Sequence, residues 1–168
     1  LAVELSRTFA RHAALAATAE EQLFLRQRAD EVLADYGNDV PVPRREAILF
    51  ERANRQLDRA ELAWWSWNAS RDDRDSRIAA IDQSTEAQAA LQAWIDLGVD
   101  AAVKPAASRK SGDVTRRELA EMLHQARVKS IDLLLMNAEL VESSPDRDRL
   151  LRLAEDGSKP LLASGERG

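Results

Sequence analysis

Residues 49–67 read LFERANRQLDRAELAWWSW, and the spacing of their apolar members decides the fold. Leu49, Ala53, Leu57, Ala60, Trp64 and Trp67 follow one another at steps of 4, 4, 3, 4 and 3. Steps of three and four return to the same side of a 3.6-residue helix, so these six residues form one buried helix face. The segment predicts a helix from about Pro43, a first-turn proline, to Ala69, roughly 40 Å long at ~1.5 Å per residue.

Working outward, similar stripes recur and no strand alternation competes with them. Upstream, one long helix is expected from Ala2 to Tyr36. Its first half pairs Leu5 with Phe9 and then carries Ala13, Ala14, Ala16, Ala17 and Ala19, small residues that permit close helix approach. Its second half has Leu25, Ala29, Val32 or Leu33, and Tyr36 on one face. Gly37 is a natural stop, and Pro41 and Pro43 prevent continuation.

Downstream, Ser70 to Arg77 contains no apolar residue, and a polar turn is expected between Asn68 and Asp73. The competing reading is a continuous helix, because the stripe phase carries through positions 71, 74 and 78. That reading would bury Arg71 and Arg74 unless the segment projects past the other helices. A third helix is expected from Asp73 to Leu97, anchored by Ile78, Ile81, Leu91, Trp94 and Ile95 and ended by Gly98. Val99 to Gly112 reads as a linker.

The fourth helix has the clearest start. Thr115 as N-cap with Glu118 three residues later is a capping box, and Val114 with Leu119 is the matching hydrophobic staple. It runs to about Val141, and the apolar run Leu133 to Met136 wraps most of its circumference. A short fifth helix starts at Ser144 and Pro145, has Asp146 and Asp148 at its positive end, and docks through Leu150, Leu151 and Leu153 before Gly157. The expected fold is therefore all-α: an antiparallel bundle of four long helices plus a short C-terminal helix. Residues 1–157 are expected to form a single domain, with 158–168 as a flexible tail.

Composition narrows the function classes. The chain has 168 residues, is 45% hydrophobic and 32% charged, and has a net charge of −5. Mild acidity gives no global attraction to nucleic acid or anionic lipid. Four of the 24 basic residues are Lys, leaving 20 Arg, which favour planar pairing with carboxylates between helices. There is no Cys, so disulfides, thiolate metal sites and cysteine catalysis are excluded. No apolar run is long enough to span a bilayer, and no signal peptide is visible. The chain opens Leu1-Ala2-Val3-Glu4-Leu5, already in helical rhythm, and the expectation is a trimmed chain whose first helix extends upstream.

The chemical motifs are incomplete. Glu121 and His124 form a Glu-x-x-His step, which di-metal bundles need twice, but the only other histidine, His12, has Phe9 three residues before it. No metal site and no cofactor are expected, and both histidines read as surface or boundary residues. Phosphotransfer at His124 is disfavoured by the bulk of Arg127 and Val128. Thr115 to Ala120 could open a helix-turn-helix, but the following residues offer no turn. Nucleophile elbows, phosphate-binding glycine loops and His-Glu-x-x-His are all missing. No enzymatic activity and no nucleic-acid partner are expected.

The unusual local feature is Trp64-Trp65-Ser66-Trp67. Trp64 and Trp67 share the core stripe, whereas Trp65 stands ~100° away around the helix. A second layer of helices, a partner surface or a small-molecule pocket would each account for it. Trp65, Arg71 and Arg74 are therefore the interface or ligand candidates. The expected role is a non-catalytic protein-interaction or assembly module, self-association included. The alternative is the ligand-sensing helical domain of a membrane receptor. The module would suit the cytoplasm and the sensor domain an extracytoplasmic site.

Overall fold

A computed structural model describes residues 2–39, 45–103 and 115–165, with side chains in 2–35, 46–99 and 115–161. The described residues form six helices and no strand: α1 (Ala2–Leu15), α2 (Ala19–Asp39), α3 (Arg45–Ala69), α4 (Arg74–Val103), α5 (Arg116–Leu140) and α6 (Ser144–Gly165). The chain is all-α, with one helix more than the sequence reading expected.

The extra helix comes from a break in the first one. The helical run stops at Leu15 and restarts at Ala19, because Thr18 caps a new N-terminus. Its hydroxyl accepts from the Glu21 backbone N–H at 3.1 Å, and the Glu21 carboxylate accepts from the Ala17 N–H at 3.3 Å. This satisfies donors that a helix start leaves open.

Three further boundaries differ. α2 continues to Asp39, past Gly37. α4 continues to Val103, so Gly98 lies inside a helix rather than ending it. A Cβ at Gly98 would stand 2.8 Å from Leu123 Cδ2, so the glycine lets α4 and α5 approach closely. α6 passes Gly157 and makes residues 158–165, expected as a tail, helical. Pro41, Pro43, Val114 and residues 104–112 of the expected linker lie outside the described residues.

Other expectations hold. The α3–α4 turn spans Ser70 to Asp73 and the helix is not continuous. Asp73 caps α4: its Oδ1 accepts from the Asp75 N–H at 3.1 Å and its Oδ2 from the Ser76 hydroxyl. These bonds hold the Asp73 carboxyl below its ordinary pKa. At α5, Thr115 Oγ1 accepts from Glu118 N at 3.2 Å, and Thr115 N donates to Glu118 Oε2 at 2.7 Å.

The main core lies where α3, α4 and α5 meet. Phe50, Leu57, Ala60, Leu91, Trp94 and Leu133 are all buried there. The Trp94 ring packs 4.8 Å from Phe50, and its Nε1 donates to the Glu46 carbonyl at 2.8 Å. A second cluster joins Trp67, Ala80 and Leu140. Pairing Phe50 with Trp94 and Trp67 with Ala80 makes α3 and α4 antiparallel. Bonds from Gln88 to Ser130 and from Ser84 to Asn137 do the same for α4 and α5. The C-terminal end of α5 is held by guanidiniums: Arg77 Nε donates to Leu140 O at 2.7 Å, and Arg147 donates to Ala138 O and Val141 O. Cations at a helix C-terminus complement its exposed carbonyls.

Candidate functional site

Of the three residues that sequence reasoning singled out, Trp65 is set apart from the other two. On α3 the core residues occupy one side, and Trp65 projects from the flank with 61% of its surface exposed. Its ring meets Trp64 edge-on at 4.9 Å. Arg71 sits in the α3–α4 turn, where its Nε and Nη2 donate to Asn68 Oδ1 at 3.0 and 2.7 Å and its guanidinium lies 5.3 Å from the Trp67 ring centroid. Arg74 is the first residue of α4 and is exposed. Arg71 is likewise exposed, which avoids the burial that a continuous helix would have imposed.

Trp65 lies on the rim of a groove of about 500 Å³ bounded by α1, α2 and α3, which includes neither Arg71 nor Arg74. The groove exists because α3 meets α1 and α2 through long polar side chains rather than a dense apolar seam. Two of its lining arginines, Arg7 and Arg55, are held by Glu51, which has only 1% of its surface exposed. Its carboxylate accepts from Arg7 Nε at 3.0 Å and Arg55 Nη2 at 2.6 Å. Arg55 also pairs with Asp58 at 2.9 Å, and Arg59 on α3 pairs with Asp30 on α2. A bond of 2.7 Å from Arg52 Nη2 to the Leu33 carbonyl completes the α2–α3 contact.

The groove is electrostatically unusual. Burial is the largest influence on Asp58 and pushes its pKa up, against the pull of Arg55, Lys129 and Arg26. Glu61 is also raised, by burial first and then by the neighbouring Asp58 charge. Lys129, which donates to Asn54 Oδ1 at 2.6 Å, is pushed down by its own burial. Asp58, Glu61 and Lys129 thus lie partly out of water beside charges of both signs.

Among the described residues lining the groove, no hydroxyl or imidazole stands beside the carboxylates. Among the described residues, no three His, Asp or Glu side chains gather as metal ligands. Glu121 and His124 are both exposed on α5. No described helix is long and apolar enough to cross a membrane.

Sequence reasoning singled out Trp65, on the rim, but none of the other residues that line the groove. Arg7, Arg11, Arg26 and Arg55 come from three helices and share no motif. The available signal was the mixed charge of Glu51, Arg55, Asp58 and Glu61 along one flank of α3, a pattern whose ordinary meaning is a solvated face. No known protein family, curated protein or solved structure matches the chain.

Proposed function

We propose that this chain is a non-catalytic helical binding module, an interaction or assembly unit, whose working face is the α1–α2–α3 groove. In this reading α3 to α6 form an antiparallel four-helix bundle, and α1 with α2 is a layer added to its flank. The observation that carries the proposal is Trp65. A tryptophan with 61% exposure beside Leu62 at 42% is an apolar anchor held in water at the edge of a concave, charged surface. Tryptophan and arginine are the residue types most enriched at binding hot spots.

Sedimentation velocity on the wild-type chain and on Trp65→Ala tests the self-association form of this reading. Truncating a hot-spot tryptophan commonly removes at least ~2 kcal/mol of binding, which raises a dimer dissociation constant about thirtyfold. The helical signal should be unchanged. A wild-type chain that stays monomeric at high concentration, or a variant that associates equally well, removes self-association through this face.

A second reading is supported by the volume of the groove. Small-molecule sites commonly occupy ~300–1,000 Å³, and the groove, at about 500 Å³, falls in that range. On this reading the chain is a ligand-sensing helical domain, with α1 and α2 free to respond to what binds between them and α3.

A further inference from the structure

The arginines of the groove divide into two sets. Arg7, Arg55 and Arg59 are committed to Glu51, Asp58 and Asp30. Arg11 and Arg26 make no hydrogen bond or ion pair among the described residues, although both line the groove. The Arg26 Nε–H is buried and meets no acceptor, and the Arg55 Nε–H is in the same condition. Buried donors without acceptors are costly and rare, and neither nitrogen is held in place by a carboxylate among the described residues. Of the lining acids, Asp30 and Asp58 are already paired and Glu61 alone has no ion pair. The charge without an ion pair is thus two guanidiniums, of which Arg26 also feels Asp58 at longer range, against one carboxylate.

The remaining walls fit an apolar body. Trp65 and Leu62 are exposed at the rim, and Ala10 and Ala14 on α1 keep the opposite wall low. We propose that this groove binds a small organic anion, with its oxyanion on Arg11 and Arg26 and its planar apolar body against Trp65 and Leu62. A guanidinium matches a planar oxyanion with two parallel N–H···O bonds, and tryptophan offers a flat face to a ring. The volume is suited to a molecule of many atoms rather than to an inorganic ion alone. The proposal rests on the ligand-binding reading above.

Three fluorescent probes test it on the full chain: 1-anilinonaphthalene-8-sulfonate, an aromatic anion; N-phenyl-1-naphthylamine, the same ring system without charge; and thioflavin T, an aromatic cation. The expected result is saturable binding of one anilinonaphthalene sulfonate per chain, at least about tenfold tighter than the neutral probe. Arg26→Gln and, separately, Arg11→Gln should each weaken the anion about tenfold and leave the neutral probe within about twofold. Trp65→Ala should weaken both. Arg26→Lys, which keeps the charge but loses the planar fork, should fall between wild type and Arg26→Gln. Circular dichroism and melting establish that each variant is folded. Arg11 is exposed, so Arg11→Gln preserves the test if Arg26→Gln fails to fold.

Equal affinity for the anionic and neutral probes would overturn the anion proposal while leaving a ligand groove in place. Preference for thioflavin T would overturn it in favour of a cation held by Glu61 and Trp65. Binding of several sulfonates per chain, indifferent to both arginine variants, would overturn it as well. Failure of all three probes to bind would remove the ligand-binding reading together with the proposal.

Discussion

On one side, α3 meets α4 and α5 through Phe50, Leu57 and Ala60; on the other, it meets α1 and α2 through Glu51, Arg55 and Arg59. The first contact is apolar and closed, with Trp94 at 2% exposure. The second buries Ala13, Ala29 and Leu33 but relies on ion pairs and on Arg52 to reach across. Apolar burial scales with area and is indifferent to direction, whereas ion pairs fix register and respond to salt. One helix is therefore attached by two kinds of force, and only the ionic side leaves a groove.

The largest expected difference sets the two faces against each other. Leu57→Asp should cost about 4–5 kcal/mol or abolish folding, because it places a carboxylate in a core with no partner. Arg59→Asp should cost about 1 kcal/mol, since its pair with Asp30 is partly solvated. Urea unfolding of both variants measures the gap. Equal losses would mean that the ionic face is as essential as the core.

Next in size is Glu51→Ala. It leaves Arg7 and Arg55 facing each other across a buried position, and removing one member of such a network costs about 3 kcal/mol. The loss should be local. Hydrogen exchange should quicken in α1 and α2 while the amides of α4 and α5 stay protected. Uniform loss of protection would show that the two sides of α3 unfold as one unit.

How much of this was legible follows the same division. The α3 stripe predicted its buried face because apolar periodicity is written in one segment: Ala53, Leu57, Ala60 and Trp67 are buried, and Leu49 and Trp64 are half-buried against the two clusters. The turn at Ser70 to Asp73 and the cap at Thr115 are also local, and both were readable. The break after Leu15 was equally local and was missed, although Thr18-x-x-Glu21 carries the same capping signal as Thr115-x-x-Glu118. Gly98 was misjudged as a helix end because its role depends on Leu123, a contact that no window of sequence contains. The groove failed for that reason too. Glu51 looks like any surface glutamate until α1 brings Arg7 beside it, 44 residues away in sequence.

Caps give a middle-sized and symmetrical check. Thr115→Ala and Thr18→Ala should each cost about 1 kcal/mol. The first should appear in global unfolding, since α5 belongs to the core. The second should appear mainly as faster exchange at the start of α2. Global loss from Thr18→Ala would tie the α1–α2 layer more tightly to the core than its contacts indicate.

A smaller effect should have the opposite sign. Burial holds the folded pKa of Asp58 above its ordinary 3.8, so the ionised group opposes folding at neutral pH. Its favourable contribution is complete below the unfolded value and disappears as pH rises through the folded one. Asp58→Asn should therefore raise the melting temperature at pH 7, and the gain should vanish as pH approaches 3.8. A lower melting temperature at pH 7 would mean that the bond to Arg55 outweighs the burial.

The smallest expected stability change concerns Trp65, and its contrast with Trp94 sharpens the comparison most. Both are tryptophans on long helices that flank the same core. Trp94→Ala should cost about 3–5 kcal/mol, because it empties a closed site and removes the bond to the Glu46 carbonyl. Trp65 already meets water over 61% of its surface, so truncation changes little of its solvation. What it loses is the edge-on contact with Trp64, worth about 0.5 kcal/mol at an exposed site. Thermal melts of the two variants measured side by side decide the matter. If Trp65→Ala were as damaging as Trp94→Ala, an apolar seam would have to run from α3 to α1 beneath the groove. The α1–α2 layer would then be held as the core is held, and the ionic contacts at Glu51 and Arg59 would be an accompaniment to that seam rather than the attachment itself.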